Sequence, residues 1–374
     1  MKLTDLRTPC IIVDHARVER NIDRMQTAAD SRRIRLRPHA KTHKSPDLAR
    51  VQTGRGAIGI CCAKLGEAEV FAEAGLEDIR LPYPLQPINA DRVLHLLDRT
   101  RLSFVVDHLE VARGWSEAMQ AAGREVDVLV KVDVGFHRCG IDPDPETGAA
   151  FVERVAGLPG LRFRGLLSHA GHAYGAGSNG DAAEIAATEA RLLTTLASRV
   201  RERGVEVEEI SVGATPTARF SLQQDGITEM RPGNYIYYDR TQVALGAATW
   251  DDCALTVLAR VVSRPARDRV VLDCGSKTLT TDPARGFGGP AGYGVVFRQL
   301  DSPVPDEGLC IERLSEEHAV LRVVGGACAL EPGDLVRVLP NHACVVSNLV
   351  DSVWLAAGDE IVDRLDVAAR GRIA

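Results

Sequence analysis

The stretch Arg37-Pro38-His39-Ala40-Lys41-Thr42-His43-Lys44 lies at a junction between two kinds of secondary structure. The alternating residues Ile34-Arg35-Leu36-Arg37 predict a β-strand, and Ser45-Pro46 is typical of a helix start. Lys41 is therefore predicted to lie where a strand has ended and a helix has not begun. In a barrel of alternating strands and helices, catalytic groups gather at that edge. The histidines and the lysine beside Lys41 are expected to favour its neutral amine, which is the form that attacks an aldehyde.

Strand and helix patterns alternate outward from this stretch. Eight strands are predicted at residues 34–38, 57–61, 78–83, 102–106, 126–134, 162–169, 208–213 and 228–232. Strands separated by helical segments predict an α/β fold, here a closed (β/α)8 TIM barrel. After about Tyr238 helical periodicity nearly disappears and strand patterns take over. We predict a barrel domain at 15–245 and a β-rich domain made of 1–14 and 246–374, because the first strand precedes the first barrel helix.

The bulk composition excludes several classes of protein. The chain has 374 residues and a net charge of −6, which gives no reason to expect a nucleic acid or an anionic membrane as partner. No apolar run approaches the ~18 residues that a membrane span needs, and no signal peptide is visible. Nine cysteines without framework spacing indicate a reducing compartment, so a cytoplasmic protein is expected.

Two loops offer groups that could hold a phosphate. Pyridoxal phosphate is the common aldehyde partner of a reactive lysine, and barrel phosphate sites are often built after strands seven and eight. The loop at 211–217 offers the hydroxyl of Thr215, and the next loop offers the amides of Gly233, Asn234 and Tyr235. Each loop alone is also typical of an ordinary turn. Their common position at two adjacent strand ends favours a phosphate site.

Two further strand ends carry polar side chains. Arg138 follows the fifth strand and could contact the phenolic oxygen of the cofactor or a substrate carboxylate. His169, His172 and Tyr174 follow the sixth strand, and they are candidates for proton transfer and for contact with the cofactor ring. A surface salt bridge for Arg138 and a glycine-rich turn for the other three are the structural alternatives.

A possible metal site follows a predicted strand in the second domain. His342 and Cys344 are two residues apart, so an extended segment places both side chains on one face. Imidazole and thiolate are ligands that zinc prefers. Because two protein ligands leave positions for water or substrate, the pair predicts a catalytic zinc site, although His-x-Cys alone is a weak signal.

Together these segments resemble the fold type III pyridoxal-phosphate enzymes, and more narrowly the D-serine dehydratase and D-threonine aldolase group. The resemblance is carried by segments that span nearly the whole chain, at residues 38–44, 135–140, 169–174, 213–216, 232–235 and 342–344. It implies an alanine-racemase-like barrel with a C-terminal β domain, and it implies a head-to-tail homodimer.

The resemblance also implies roles for individual residues. Lys41 is implied as the lysine joined covalently to pyridoxal phosphate. The implied cofactor contacts are Arg138, Tyr174, Thr215, Gly233 and Asn234. His342 and Cys344 are implied as metal ligands near the β-hydroxyl of the substrate. The His-x-Cys pair resembles the zinc-dependent D-serine dehydratases, whereas D-threonine aldolases more often have His-x-Asp, which suits Mn²⁺ or Mg²⁺. His172 departs from the dehydratase pattern, which has Asn there, and its imidazole could act as a base.

The sequence therefore predicts a lyase for β-hydroxy-D-amino acids. A D-serine dehydratase-type elimination to a keto acid and ammonia is the first candidate. A D-threonine aldolase-type cleavage to glycine and an aldehyde uses the same residues, with His169 or His172 as the base. Two other classes stay open: an amino-acid racemase with Tyr293 from a second copy as its other acid or base, and a non-catalytic cofactor carrier. A racemase leaves His-x-Cys without a role, and small carriers of this kind lack a second domain.

Overall fold

The computed structural model describes residues 1–324 and 328–374. The strands are β1 (Cys10–Asp14), β2 (Arg35–Leu36), β3 (Ile60–Cys61), β4 (Asp78–Pro84), β5 (Arg101–Val106), β6 (Val126–Lys131), β7 (Leu161–Leu167), β8 (Glu209–Val212), β9 (Glu229–Met230), β10 (Leu255–Ala266), β11 (Arg269–Leu272), β12 (Val295–Phe297), β13 (Leu309–Leu314), β14 (Ala319–Val323), β15 (Leu335–Leu339), β16 (Ser352–Ala357) and β17 (Glu360–Asp366). The α-helices are α1 (His15–Ser31), α2 (Pro46–Gly54), α3 (Leu65–Glu73), α4 (Ala90–Leu97), α5 (Leu109–Ala121), α6 (Pro145–Ala156), α7 (Asn179–Glu202), α8 (Ala218–Ser221), α9 (Arg240–Ala244), α10 (Ser276–Leu279) and α11 (Ala343–Ser347). Within these described residues, no helix is both long enough and apolar enough to cross a membrane.

Eight parallel strands form the first sheet, in the spatial order β2-β9-β8-β7-β6-β5-β4-β3. Its two ends are joined, because the Ile58 amide donates to the Leu36 carbonyl at 2.9 Å and the Cys61 amide donates to the Pro38 carbonyl at 2.7 Å. The sheet is thus a closed barrel of the TIM type, and this prediction is confirmed. In the ring of eight, β2 is first and β6 is fifth, so the two strands face each other across the barrel.

The second sheet is mostly antiparallel and contains β1 and strands from the C-terminal third of the chain. Its main path runs β13-β14-β11-β10-β1-β16-β17, and β15 pairs with β10 and β12. β1 lies between β10 and β16, antiparallel to the first and parallel to the second. The N-terminal strand therefore joins a sheet whose other strands all follow residue 254.

Local sequence explains the better-predicted elements. Asp14 caps α1 by accepting a hydrogen bond from the Arg17 amide at 3.0 Å. Val18, Ile22 and Met25, which share one helical face, are all buried. Every residue of β6 is also buried, as is typical of a parallel strand that is covered on both faces.

A network of ion pairs lies inside the barrel beneath the candidate site. Glu229 is 0% exposed and accepts from Arg37 Nε at 2.9 Å, Arg80 Nη1 at 2.5 Å and Ser211 Oγ at 2.6 Å. Burial by itself raises the pKa of Glu229, but the two guanidinium groups hold that pKa well below its usual value. The carboxylate therefore stays ionised in the barrel interior.

Replacing Glu229 with glutamine is expected to lower the free energy of unfolding by about 3 kcal/mol, because two buried guanidinium groups lose a charged partner. Urea denaturation at pH 7 measures this effect. Since the folded-state pKa is depressed, the contribution is present above the unfolded-state pKa of about 4.3 and is lost as pH falls through the folded value. The matched control is Glu208→Gln, whose side chain is 38% exposed and pairs with Arg164, and its cost should stay below about 1 kcal/mol. Equal losses in the two variants would contradict the assignment.

Candidate active site

A cavity of about 270 Å³ opens at the C-terminal edge of the barrel strands. Most of the predicted site residues line it: Lys41, Arg138, His169, Tyr174, Thr215, Gly233, Asn234, His342 and Cys344. The last two come from the loop after β15 and the start of α11, so elements from both sheets contribute to one cavity. His172 and Tyr235 do not belong to this lining.

Lys41 lies in a short 3-10 turn, Ala40–Thr42, that follows β2. Its amine reaches into the cavity, and no hydrogen-bond acceptor for it lies in the part of the chain that the structure describes. The Lys41 side chain is exposed to the open cavity, but desolvation by the surrounding protein groups is the main cause that lowers its pKa. The charges of Arg138 and Arg231 lower the pKa further, whereas Cys344 and Glu67 oppose the shift. The shift is in the direction of the neutral amine, which is the nucleophilic form.

The cations that act on Lys41 are not the ones expected from the sequence. Burial lowers the pKa of His39 far below its usual value and that of His43 to about 4, so both rings are neutral near pH 7. Lys44 is paired with Glu67 at 3.1 Å and donates to Asn348 at 2.6 Å. The expectation of cationic neighbours within the Lys41 stretch was wrong, because burial removes charge from the histidines and Glu67 compensates the lysine.

The two loops after β8 and β9 form one side of the cavity beside Lys41. The His39 amide donates to the Pro232 carbonyl at 3.0 Å, which ties the Lys41 turn to the loop after β9. A side chain at Gly233 would meet His39 and Thr42 at 3.1 Å, so glycine permits this close approach. Thr215 Oγ1 is buried and has no partner within the described chain. An unsatisfied hydroxyl beside loop amides is what a phosphate oxygen requires, so these residues fit the phosphate of pyridoxal phosphate.

The loop after β7 carries three predicted site residues, His169, His172 and Tyr174, and of these His169 and Tyr174 line the cavity. His169 Nδ1 lies 2.6 Å from the Gly213 carbonyl; because a carbonyl only accepts, Nδ1 carries the proton and Nε2 is left as an acceptor. Burial lowers the pKa of His169 well below its usual value, which keeps the ring neutral. Tyr174 also lines the cavity, and burial raises the pKa of its phenol. His172 instead faces the loop of Asp133 outside the cavity lining.

Tyr235 is fully buried and turned away from the cavity. Its hydroxyl accepts from Gln52 Nε2 at 2.8 Å. Only its backbone could then serve the predicted contact, since the side chain packs in the barrel core. Arg138 lies at the cavity with its guanidinium 5.0 Å from the centre of the Phe136 ring.

His342 and Cys344 form a compact pair of potential metal ligands. His342 Nδ1 contacts Asp282 Oδ2 at 2.7 Å, and its ring also hydrogen-bonds the Cys344 sulfur. Although burial favours neutral forms, this pairing raises the pKa of His342 to about 10 and lowers the pKa of the Cys344 thiol. A cysteine sulfur beside a histidine ring whose second nitrogen meets a carboxylate is an arrangement typical of zinc ligands. No cluster of three or more such ligands exists in residues 1–324 and 328–374.

The pair lies close to the Lys41 turn. Thr42 Oγ1 is 3.2 Å from Cys344 Sγ, which places the sulfur next to the turn that carries Lys41. Asp239 holds the two sides together, because it accepts from Asn234 Nδ2 at 2.6 Å and from the Ala343 amide at 2.9 Å.

Five charged residues that line the cavity were not predicted as site residues from the sequence: Lys131, Arg231, Asp239, Asp282 and Arg285. Arg231 is buried and donates from Nε to Ser211 Oγ at 2.7 Å. Arg231 could have been found from its position near the end of a predicted barrel strand. Asp282 and Arg285 lie between α10 and β12, in a segment for which the sequence predicted no site.

Comparisons with known proteins match nearly the whole chain. Residues 13–241 match the alanine racemase N-terminal domain family, and residues 254–356 match the putative serine dehydratase domain family. D-threonine aldolase of an Arthrobacter species is 34% identical, over 99% of this chain and 94% of that protein. D-threo-3-hydroxyaspartate dehydratase of Delftia is 32% identical, over 96% of this chain and 96% of that protein. D-serine dehydratase of Dictyostelium discoideum is 28% identical, over 96% of this chain and 95% of that protein.

Solved structures agree with this picture. A metal-free form of D-threo-3-hydroxyaspartate dehydratase, in which alanine replaces a cysteine, superimposes with a TM-score of 0.91 at 30% identity and covers 98% of each chain. A second structure of that enzyme has alanine in place of a histidine two positions earlier, and it superimposes with a TM-score of 0.92 at 30% identity, over 98% of this chain and 96% of that one.

Proposed function

Because the chain belongs to the family of fold type III pyridoxal-phosphate enzymes that contains the D-serine dehydratases and D-threonine aldolases, we propose that it is a lyase for β-hydroxy-D-amino acids. Elimination of the β-hydroxyl, with release of a keto acid and ammonia, is proposed as its reaction. The observation that carries this proposal is the His342–Cys344 pair beside Lys41, since it brings a zinc-type ligand set next to a reactive amine.

The proposed roles follow from the placement of each group. Pyridoxal phosphate, when bound, acts as an electron sink for negative charge that develops at the substrate's Cα. Lys41 Nζ would hold the cofactor and, as a neutral amine, would take the proton from the Cα of the substrate. Thr215 Oγ1 and the amides around Gly233 hold the phosphate group. Tyr174 and Arg138 contact the ring.

A divalent metal, proposed to be zinc, fits the donor pair of His342 and Cys344. Such a metal supplies Lewis-acid polarisation of an oxygen atom. Asp282 orients the imidazole by its contact with Nδ1. Two structures of D-threo-3-hydroxyaspartate dehydratase support this assignment. One is a metal-free form in which alanine replaces a cysteine, and the other has alanine in place of a histidine two positions earlier, which is the spacing of His342 and Cys344.

A retro-aldol cleavage to glycine and an aldehyde is the second candidate. Two observations favour it: a D-threonine aldolase is among the most similar relatives, and His169 offers a neutral Nε2 at the cavity. In that reaction His169 Nε2 takes the proton of the β-hydroxyl while the Cα–Cβ bond breaks. His172 is the less suited of the two predicted bases, because it lies outside the lining.

The test is a product analysis with protein loaded with cofactor and zinc. D-serine, D-threonine and D-threo-3-hydroxyaspartate are each incubated, and ammonia, keto acid and glycine are quantified. Ammonia in equal amount with a keto acid is the expected result, and the L-enantiomers serve as controls. Glycine in place of ammonia would establish the aldolase alternative. Interconversion of D- and L-serine without either product would contradict a lyase and favour the racemase.

The assembly and location of the protein are also proposals. We propose a homodimer, as the family resemblance implies, and sedimentation equilibrium should give twice the mass of one chain. All nine cysteines lie in the described residues and are free thiols. Because free thiols are typical of reducing compartments, we propose a cytoplasmic location.

A further inference from the structure

A second cavity, of about 320 Å³, has no role in the mechanism above. Its lining comes mainly from α1 and from α8 with the residues that follow it. Thr215 lines this cavity as well as the active-site cavity. Tyr238 also lines it, and the Tyr238 amide donates to the Asn234 carbonyl at 2.7 Å. The second cavity therefore lies against the two loops that are proposed to hold the cofactor phosphate.

The charged groups that line the second cavity are all positive. They are Arg24, Arg32 and Arg219, and among the described residues no aspartate or glutamate belongs to the lining. Arg24 is balanced from outside the lining, because its Nη1 lies 2.9 Å from Asp252 Oδ1. Arg32 and Arg219 form no ion pair with any residue in the described ranges. Two positive charges of this lining are therefore not compensated there.

Arg219 has hydrogen bonds but no countercharge. Its Nη2 donates to two neutral oxygens, Asn179 Oδ1 at 2.6 Å and the Leu245 carbonyl at 3.3 Å. Its Nη1 is buried and has no acceptor within residues 1–324 and 328–374. Burial is the main cause that lowers the pKa of this guanidinium. Because a buried donor without an acceptor is costly, an anion bound beside Arg219 would stabilise this position.

Much of the remaining lining is apolar. Met25, Ala28, Ala218 and Leu222 contribute aliphatic surface, and the buried Tyr238 contributes an aromatic ring. An inorganic ion would leave this surface without a contact. A ligand that matches the whole cavity has an acidic group for the arginines and an apolar body for the rest of the lining.

We propose that the cavity between α1 and α8 binds a small organic anion, whose phosphate or carboxylate group contacts Arg32 and Arg219. The apolar body of the ligand packs against the aliphatic lining. Both acidic groups match the planar fork of a guanidinium. A phosphate monoester has more charge and one more acceptor oxygen than a carboxylate, so it is expected to bind more tightly to two arginines.

An anion in the second cavity is expected to loosen the cofactor. The bound anion and the cofactor phosphate would have charges of the same sign and would lie on two sides of Thr215. At an effective dielectric constant of about 20, two like charges roughly 10 Å apart repel enough to change an equilibrium constant about tenfold before screening by salt. This consequence rests on the proposed function, because it needs the cofactor phosphate at Thr215, whereas the anion site itself does not.

The test of the anion site is calorimetry at pH 7 with protein loaded with cofactor and zinc, so that the active-site cavity is occupied. Phenyl phosphate and benzoate represent the two classes of anion, and phenol has the ring without the charge. One phenyl phosphate per chain should bind, with benzoate about 10-fold weaker and phenol about 100-fold weaker. Tighter binding of benzoate would support the site and identify a carboxylate as its ligand. Phenol that binds as tightly as both anions would overturn the proposal.

Two variants locate the bound anion. Arg219→Gln should weaken phenyl phosphate binding by about 10- to 100-fold. The matched control is Arg191→Gln, an exposed arginine on α7 outside this cavity, which should bind as wild type. If Arg219→Gln does not fold, Ala28→Phe fills the cavity without a change of charge and should give at least a 10-fold loss. Wild-type affinity in either folded variant would overturn the site.

The rate of pyridoxal phosphate release measures the coupling between the two cavities. Loaded protein is diluted into a trap for free cofactor, so competition for the vacated site does not affect the rate. Phenyl phosphate should speed release about 3- to 10-fold in wild-type protein but not in Arg219→Gln. An unchanged rate at saturating phenyl phosphate would contradict the coupling. Anion binding that depends on Arg219 in a protein that takes up no cofactor would refute the proposed function alone.

Discussion

Replacing Lys41 with alanine is expected to lower turnover of β-hydroxy-D-amino acids by about 10⁴-fold or more and to abolish covalent attachment of pyridoxal phosphate. The size follows from the two tasks of one amine, since attachment of the cofactor and removal of the Cα proton are lost together. The surroundings of this amine lower its pKa, which favours both tasks. Steady-state kinetics of keto acid release and the visible spectrum of the loaded protein measure the two effects separately.

A matched control for this prediction is Lys64→Ala. Lys64 lies over the Tyr83 ring at 4.2 Å and does not line the cavity, so its loss should leave both turnover and cofactor attachment within about twofold of wild type. Turnover within tenfold of wild type in Lys41→Ala would contradict the assignment.

The second large effect is expected at the proposed metal site. His342→Ala or Cys344→Ala should lower turnover by about a thousandfold, because polarisation of the β-hydroxyl is worth several kcal/mol. Zinc content by mass spectrometry should fall from about one per chain to near zero in either variant. Dialysis of the wild-type protein against a chelator should give the same loss, and added zinc should restore the activity.

Asp282→Asn provides a graded control for this prediction. The contact between Asp282 and His342 Nδ1 orients the ring without supplying a ligand, so zinc affinity should fall by about 10- to 100-fold with the ligands still present. Full activity in chelator-treated wild-type protein would remove the metal from the reaction.

The barrel was predictable because its strands and helices have regular patterns. In β6 every residue is buried, and in α1 the apolar residues recur on one face, so local sequence and final burial agree. Two strands of the second sheet, β12 and β17, lack such patterns. β17 has mostly exposed residues at the edge of its sheet, and β12 has three residues after a glycine-rich loop. Their pairing with β16 and β15 depends on contacts that no local pattern encodes.

The candidate site was predictable where motif residues lie at strand ends, as for Lys41 and Thr215. Protonation states were not predictable, because the neutral form of His43 results from burial by distant parts of the chain. The direction of His172 depends on a 3-10 turn, Gly171–Gly175, that turns it away from the cavity lining.

Peptide mapping after borohydride reduction is the most direct test that Lys41 carries the cofactor. The loaded wild-type protein is reduced and digested, and fragments bearing a phosphopyridoxyl group are sequenced by tandem mass spectrometry. The predicted result is a single modified peptide that contains residues 39–44, with the added mass on Lys41. Modification of Lys131 or Lys44 in its place, or no modified peptide from protein that binds the cofactor, would contradict the proposed site.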